Sequence, residues 1–308
     1  MKQKMNINRL RYQYHKKWKY VLVMLPILFG FTLFKIYPNI AVFPLSLYEW
    51  SPLSTEKVYV GLKNFTLLFD IKGDEMIPKL LNTAMYVGFL LVIQTVLSLL
   101  LTMALRKNTV FNTVFRTYFF IPMMLSSTMI AMTWSYMLDP NLGTFNLILG
   151  AFGVEGYPGT NLLGNSVVAI LIIVIVHIWA NIGYPMMMLL AGLSGVSDDL
   201  REAARIDGAN SAQIFWNVEF PIILPTLLRM ALTTITTGAM AVDYIYMIGG
   251  SGSATDFDTW NSWIYRSTTD MRDYGLVSAA GVILAFILGT VTILQYVAMN
   301  KIEKKLYE

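Results

Sequence analysis

Apolar residues in this chain run in long unbroken stretches; they neither alternate with polar residues nor recur every third and fourth position. The clearest stretches, residues 84–105, 117–138 and 167–193, contain no formal charge. Another, 222–248, is interrupted by Arg229 and Asp243, and the last covers 275–300. A shorter stretch, 21–34, precedes them and is followed by Lys35 and Pro38. A helix needs about 20 apolar residues to cross roughly 30 Å of hydrocarbon, so the pattern predicts an all-α integral membrane protein with six transmembrane helices. A membrane barrel would need ten-residue segments of alternating character, which the sequence lacks. The predicted layout is a basic leader at 1–19, a six-span domain at 20–300 and a tail at 301–308.

Charge sets the orientation. If the connecting segments alternate sides, one side collects fifteen Lys and Arg: seven in 1–19, three in 106–116, two in 194–219 and three in 301–308. The other collects six: four in 37–81, none in 139–165 and two in 249–273. Basic residues gather on the cytoplasmic side, which places both termini there. The first stretch also resembles a secretory signal, but no small-x-small cleavage site follows it and more spans do, so it is read as an uncleaved anchor. Gly281, Ala285 and Gly289 form a small-residue stripe on the last span, suited to close helix packing.

Composition removes most chemistry. With 56% hydrophobic and 14% charged residues and a mean hydropathy of +0.55, little chain is left for a soluble domain, and nucleic acid is not an expected partner. The absence of cysteine excludes disulfides, thiolate metal ligation and thiol catalysis. No phosphate-binding P-loop, H-E-x-x-H or G-x-S-x-G pattern occurs, and the two histidines are His15 in the leader and His177 in the fourth span. No catalytic residue and no metal site is predicted, the chain is not expected to be an enzyme, and His177 is read as a hydrogen-bonded packing residue.

The segment 194–221 is organised beyond what a tether needs. Ser197 or Asp198 is placed to cap a short helix that Gly208 ends, since Asp-Gly readily takes positive φ. Asn210 or Ser211 starts a second helix with Ile214, Phe215 and Val218 on one face, and Pro221 and Pro225 mark the start of the fifth span. By physics alone this is an amphipathic helical hairpin at the membrane surface. Its wording is more specific: Glu202-Ala203-Ala204, three residues, Gly208, nine residues, Val218, one residue, Phe220-Pro221. That spacing resembles the EAA loop of ABC importer permeases, E-A-A-x3-G-x9-I-x-L-P, with Val218 and Phe220 standing for the usual Ile and Leu. Elsewhere, Gly61-Leu62-Lys63-Asn64-Phe65, Asn82-Thr83, Pro122, Trp134, Pro140, Gly143 and Asn146 are similar to permeases for maltose, other oligosaccharides and glycerol phosphate. So are Gly249-Gly250, Thr255, Tyr265, Tyr274-Gly275 and Ala279-Ala280. Ser251 departs from that group's Gly-Gly-Pro, and with Asp256, Asp258, Asp270 and Asp273 nearby the last outer loop is expected to suit a different binding protein or substrate.

The resemblance implies the transmembrane domain of a type I ABC importer in the bacterial cytoplasmic (inner) membrane, with an EAA coupling-helix loop. It implies a second, related permease as partner, in a heterodimer or a homodimeric pair, two cytoplasmic ATPase subunits and an extracytoplasmic solute-binding protein. ATP and magnesium would sit on the ATPases, and this chain would hold no cofactor. In that family the hairpin docks into a groove on the ATPase, which assigns coupling to Glu202, Ala203, Ala204, Arg205, Asp207, Gly208 and Phe215. The family's sugar-contacting stretch falls on Asp243, Tyr244 and Tyr246. Independently, a carboxylate deep in a span costs about 2.5–3.5 kcal/mol on insertion scales, so Asp243 should face a watery cavity or a partner. Fourteen residues of helix place it roughly 21 Å from Arg229, too far to pair. Trp134, Tyr136, Trp179 and Asn181 are further pathway candidates, although such aromatics also serve packing and the bilayer edges.

The resulting expectation is a permease subunit for a carbohydrate, most specifically an oligosaccharide. Import of glycerol phosphate or another polar solute is the alternative within the family, weakened because the spans supply no converging cations. An ATP-independent secondary transporter or channel, with Asp243 and His177 as an ion relay, is the alternative outside it. The EAA-like spacing and the lack of visible inverted repeats speak against that.

Overall fold

The computed structural model describes residues 20–54, 56–70, 73–154, 156, 159–250, 256–269 and 273–307. The basic leader, Ser251, Thr255 and Asp270 lie outside them. The first helix, α1, spans Tyr20–Leu45; none of its residues is buried, although Val42 and Phe43 touch the last helix. It is longer than the expected 21–34 because a π turn at Thr32–Ile36, closed by the Tyr37 N–H on the Thr32 carbonyl, shifts the ladder just before Pro38. The proline's missing donor is absorbed there without a break.

A two-stranded antiparallel hairpin follows, Tyr48–Glu49 (β1) with Val58–Tyr59 (β2), and then α2, Lys63–Phe69. The Asn64 amide donates to the Ser46 and Tyr48 carbonyls, each at 2.9 Å, and fixes α2 under this hairpin. Helix α3, Gly73–Leu105, begins well before the apolar stretch at 84.

The expected span 117–138 is instead two helices at 92°: α4, Val110–Phe120, extended by a 3-10 turn to Met124, and α5, Ser127–Met137. Pro122 removes a ladder donor, and extended backbone at Leu125 and Ser126 redirects the chain. Helix α6, Thr144–Ala151, follows. The expected span 167–193 also bends, by 53°, between α7, Ser166–Asn181, and α8, Gly183–Ser194. The bend lets α4 approach: a Cβ on Gly183 would lie 2.7 Å from the Phe119 carbonyl oxygen and 2.8 Å from the Phe120 Cα. Gly183→Val is therefore expected to destabilise the protein by about 1–3 kcal/mol through overpacking, read as a lower melting temperature in detergent.

Next come α9, Asp198–Ile206, and α10, Ser211–Ile214, which continues through a π turn at Phe215–Glu219 into α11, Phe220–Ala239. The stretch 222–248 is not one helix either. It breaks after Ala239, and Asp243–Ile248 forms a separate short helix, α12, so helical rise alone does not set the distance from Arg229 to Asp243. Helices α13, Trp260–Thr269, and α14, Tyr274–Tyr307, complete the chain. Gly275 sits directly beneath the Tyr48 carbonyl, where any Cβ would overlap it, so the start of α14 is locked to β1.

Four helices are long and apolar enough to cross a membrane, or up to six if each bent pair is one span. The largest core joins Tyr86 and Leu90 of α3, Ile130 of α5, Ile173 of α7 and Ile245 of α12. A second core, near the β hairpin, holds Leu68, Met76, Trp260, Trp263 and Ala279. Of the predicted small-residue stripe, Gly281 faces Val42 of α1, while Gly289 has open space above it.

Candidate functional site

Three helix breaks, at α4–α5, α7–α8 and α11–α12, converge on a cavity of about 450 Å³. Breaks of this kind are tolerated at membrane depth only where the freed backbone is buried in protein or lines a polar cavity. Asp243 opens α12, and its carboxylate accepts a hydrogen bond from the Ser127 hydroxyl in the first turn of α5. The Tyr244 hydroxyl accepts from the Asn181 amide at 3.1 Å, and that amide also donates to the His177 carbonyl at 3.0 Å. His177 packs 4.9 Å from the Tyr244 ring, and its Nδ1 lies 2.7 Å from the Tyr86 hydroxyl. The histidine is thus hydrogen-bonded within the core, as its position in an apolar run suggested. Gln94 of α3 and Thr233, Thr234 and Thr237 of α11 add polar wall. Among the described residues that line the cavity, none is Lys or Arg.

The structure brings Asp243, Tyr244 and Asn181 to this cavity and leaves the other expected pathway residues outside it. Tyr246 is buried on the far face of α12, 4.9 Å from the Tyr265 ring and 4.8 Å from the Arg266 guanidinium. Two residues of helix turn a side chain through about 200°, so Tyr244 and Tyr246 cannot share a face. Trp134 stacks on Phe145 at 5.5 Å and meets Trp179 edge-on at 6.0 Å, while Tyr136 is exposed on the outside of α5. Behind Tyr246, Arg266 forms a buried ion pair with Asp258 at 3.3 Å, and Asn82 holds the Asp256 and Asp258 carbonyls at 2.7 and 3.0 Å. The α13 end of the bundle is therefore clamped to α3.

At the other end, residues 194–221 form the helical hairpin. Asp198 and Asp199 occupy the first turn of α9 and Arg205 its last, each favourable to the helix dipole. Gly208, at φ +82°, lets its own N–H reach the Arg205 carbonyl and the Ala209 N–H reach that of Ala204, both at 3.0 Å, which closes a Schellman turn. Asn210 and Gln213 then cap α10 reciprocally. Glu202, Ala203, Arg205, Asp207 and Gly208 are exposed, and Ala204 is half-buried. Phe215 does not join them: it is 3% exposed and packs on Leu193 and Ile223, whereas Ile206 is 82% exposed at the tip.

Pattern reading passed over Glu219, the unspecified position between Val218 and Phe220. Its carboxylate, 2% exposed, accepts from Arg106 Nη1 at 3.0 Å and Arg201 Nε at 2.8 Å, tying the hairpin to the end of α3. Arg201 also donates to Asp198 at 2.8 Å and to the Val196 and Leu193 carbonyls at 3.0 and 2.9 Å. Burial works against the Arg201 charge, but the hydrogen bonds to Glu219 and Asp198 outweigh it and hold its pKa above the ordinary value. The available signal was a charge two residues before Pro221 at the edge of an apolar run, on the predicted side that also carries Arg106 and Arg201.

Known proteins align over this whole arrangement. The family model of the binding-protein-dependent transport system inner membrane component matches residues 94–306. The trehalose/maltose transport system permease protein MalF of Thermococcus litoralis is 32% identical over 270 residues, 87% of this chain and 88% of that one. The multiple sugar-binding transport system permease protein MsmF of Streptococcus mutans is 26% identical over 290 residues, 94% of this chain and 97% of its own length. In fold, the chain is similar to a bacterial ABC transporter that imports the acidic polysaccharide alginate. The TM-score is 0.80 at 20% identity, covering 95% of this chain and 99% of that one. A family match from Gln94 to the last helix, over a bundle of apolar helices with this topology, places the chain among the inner membrane components of binding-protein-dependent transport systems, as a multi-pass permease subunit.

Proposed function

We propose that this chain is one permease subunit of an ATP-driven importer for a neutral oligosaccharide. The observation that carries the substrate class is the cavity at the helix breaks, which combines a carboxylate, aromatic rings and hydroxyls without a lining cation. Asp243 and the Asn181 amide oxygen offer hydrogen bonds to vicinal hydroxyls, and Tyr184, on the same wall, offers an exposed ring. Passage of a phosphorylated or acidic solute would need guanidinium or ammonium groups that these walls lack. The names of two permeases similar in sequence, one for multiple sugars and one for trehalose and maltose, support a sugar as substrate.

In this reading the six spans comprise α1, α3, the two bent pairs, α11 with α12, and α14, with both termini in the bacterial cytoplasm. The unequal division of fifteen and six basic residues supports that orientation. The hairpin then faces the cytoplasm, where Glu202, Ala203, Arg205, Ile206 and Asp207 are free to meet an ATPase loaded with magnesium and ATP. A second permease completes the pathway, a second ATPase serves it, and a binding protein delivers the sugar at the β-hairpin end.

The test is uptake in proteoliposomes holding the complete transporter. Asp243→Asn removes a charge-assisted hydrogen bond worth about 1.5–3 kcal/mol, so the concentration for half-maximal uptake is expected to rise about tenfold or more. Unchanged uptake of every oligosaccharide tried, or uptake that follows an ion gradient and ignores ATP, overturns the assignment.

A further inference from the structure

A second cavity, of about 470 Å³, lies between the hairpin, the end of α8 and the link from α3 to α4. Arg106, Lys107, Arg116, Arg201 and Arg205 line it, against two carboxylates, Asp198 and Glu219. Five cations facing two anions leave an excess of three positive charges in one concave space. We propose that this cavity binds the phosphate group of an anionic phospholipid from the adjoining leaflet.

Three observations support the assignment. The walls are preorganised: Glu219 holds Arg106 and Arg201, and Arg116 reaches back to the Leu105 carbonyl through Nε at 3.0 Å and to the Asn108 amide oxygen at 3.3 Å. Fixed guanidinium groups match phosphate oxygens in geometry as well as charge, whereas chloride would gain only the charge. Apolar surface also lies close by in the chain: Val110, Phe111 and Val114, between the lining residues Asn108 and Arg116, are exposed side chains of α4. Acyl chains would lie against them while the headgroup turned inward. Lastly, the cavity sits where the apolar run of α3 ends at Leu105, the depth at which headgroups meet a span. A bound phosphate would join the α3–α4 link to the hairpin alongside Glu219, so lipid composition would tune how firmly the hairpin is held.

A free phosphate shares this chemistry, and the experiment separates the two. The complete transporter is stripped of lipid in detergent, then titrated with phosphatidylglycerol, phosphatidylcholine or inorganic phosphate while native mass spectrometry counts bound molecules. Phosphatidylglycerol is expected to bind in preference to phosphatidylcholine, and Lys107→Gln to weaken it about fivefold, the effect of one basic residue near a membrane surface. Lys107 is exposed, so this variant keeps the fold. Lys301→Gln, at the same end of α14 but outside the cavity, is expected to change nothing. Equal binding of both lipids, or equal losses in the two variants, overturns the proposal. Displacement by millimolar inorganic phosphate with the same dependence on Lys107 overturns the lipid assignment in favour of a free anion. Binding that appears only when the ATPase subunits are removed overturns it as well, since the cations then serve that protein.

Discussion

Replacing Glu219 by alanine is expected to lower the melting temperature of the purified protein by about 5 °C. Removing one member of a buried ion pair costs about 3–5 kcal/mol, because the remaining charge is left without its counterpart. The low end, about 3 kcal/mol, applies here: Arg106 is 38% exposed in its side chain and Arg201 21%, so water screens part of the loss. At about 2.1 cal/mol/K per residue, a chain of 308 residues loses about 1.5 °C per kcal/mol, which gives the stated shift. Glu219→Gln keeps an acceptor in the same volume and is expected to lose about half as much. A melting temperature unchanged in Glu219→Ala would mean that the triad does not hold the hairpin. The variant also reports on transmission, since α11 runs without interruption from the π turn at Phe215–Glu219 to the threonines of the cavity wall. A loosened hairpin should therefore lose uptake beyond what lower stability explains, measured at a temperature where both proteins remain folded.

Apolar run length revealed the helices that cross, because hydrocarbon imposes a minimum length on any span and the charges mark its ends. It concealed where they bend. Pro122 and Pro185 sit beside the bends of the third and fourth stretches, but a proline alone does not say how far a span turns, and no proline marks the break at Met240. At the α7–α8 bend Pro185 frees the ladder locally, and the close approach of the Phe119 backbone to Gly183, a tertiary contact, accompanies it.

The cavity was legible in part for the same reason. Asp243 stood out as an expensive charge in a lipid-facing run, and the structure answers it with Ser127 and a polar pocket. Tyr246 lies three residues beyond Asp243 and Trp134 in another apolar stretch, but helix phase turned the first toward Arg266 and aromatic packing took the second. Gln94, Ser127 and the threonines went unnoticed because single uncharged polar residues are common in spans; only convergence distinguishes them. In the hairpin, the Gly208 turn and the Asn210 cap followed from residue chemistry alone. Glu219 did not, since its role rests on two arginines that lie 18 and 113 residues earlier in the chain.

Gly208→Leu is expected to leave the helices assembled and to reduce ATP-driven uptake by more than tenfold. The position holds φ at +82°, and no atom lies within 4 Å of a Cβ placed there, so space is not the obstacle. The obstacle is the backbone: a β-carbon in the left-handed region costs about 1–2 kcal/mol, and leucine has no side-chain group to compensate. That strain is relieved by opening the turn, which gives up the Gly208 and Ala209 hydrogen bonds to the end of α9 and swings the exposed tip residues Ile206 and Asp207 out of register. A hairpin that must seat in a partner's groove tolerates little such movement, because a displacement of about 1 Å is enough to lose a preorganised contact. Gly208→Asn provides the control, since asparagine enters the left-handed region several-fold more readily than other side chains. It is expected to recover most of the uptake that leucine loses. If leucine and asparagine reduce uptake equally while both proteins keep their melting temperature, the turn conformation is not what the ATPase requires. If leucine transports as the parent does, the hairpin is not the coupling element.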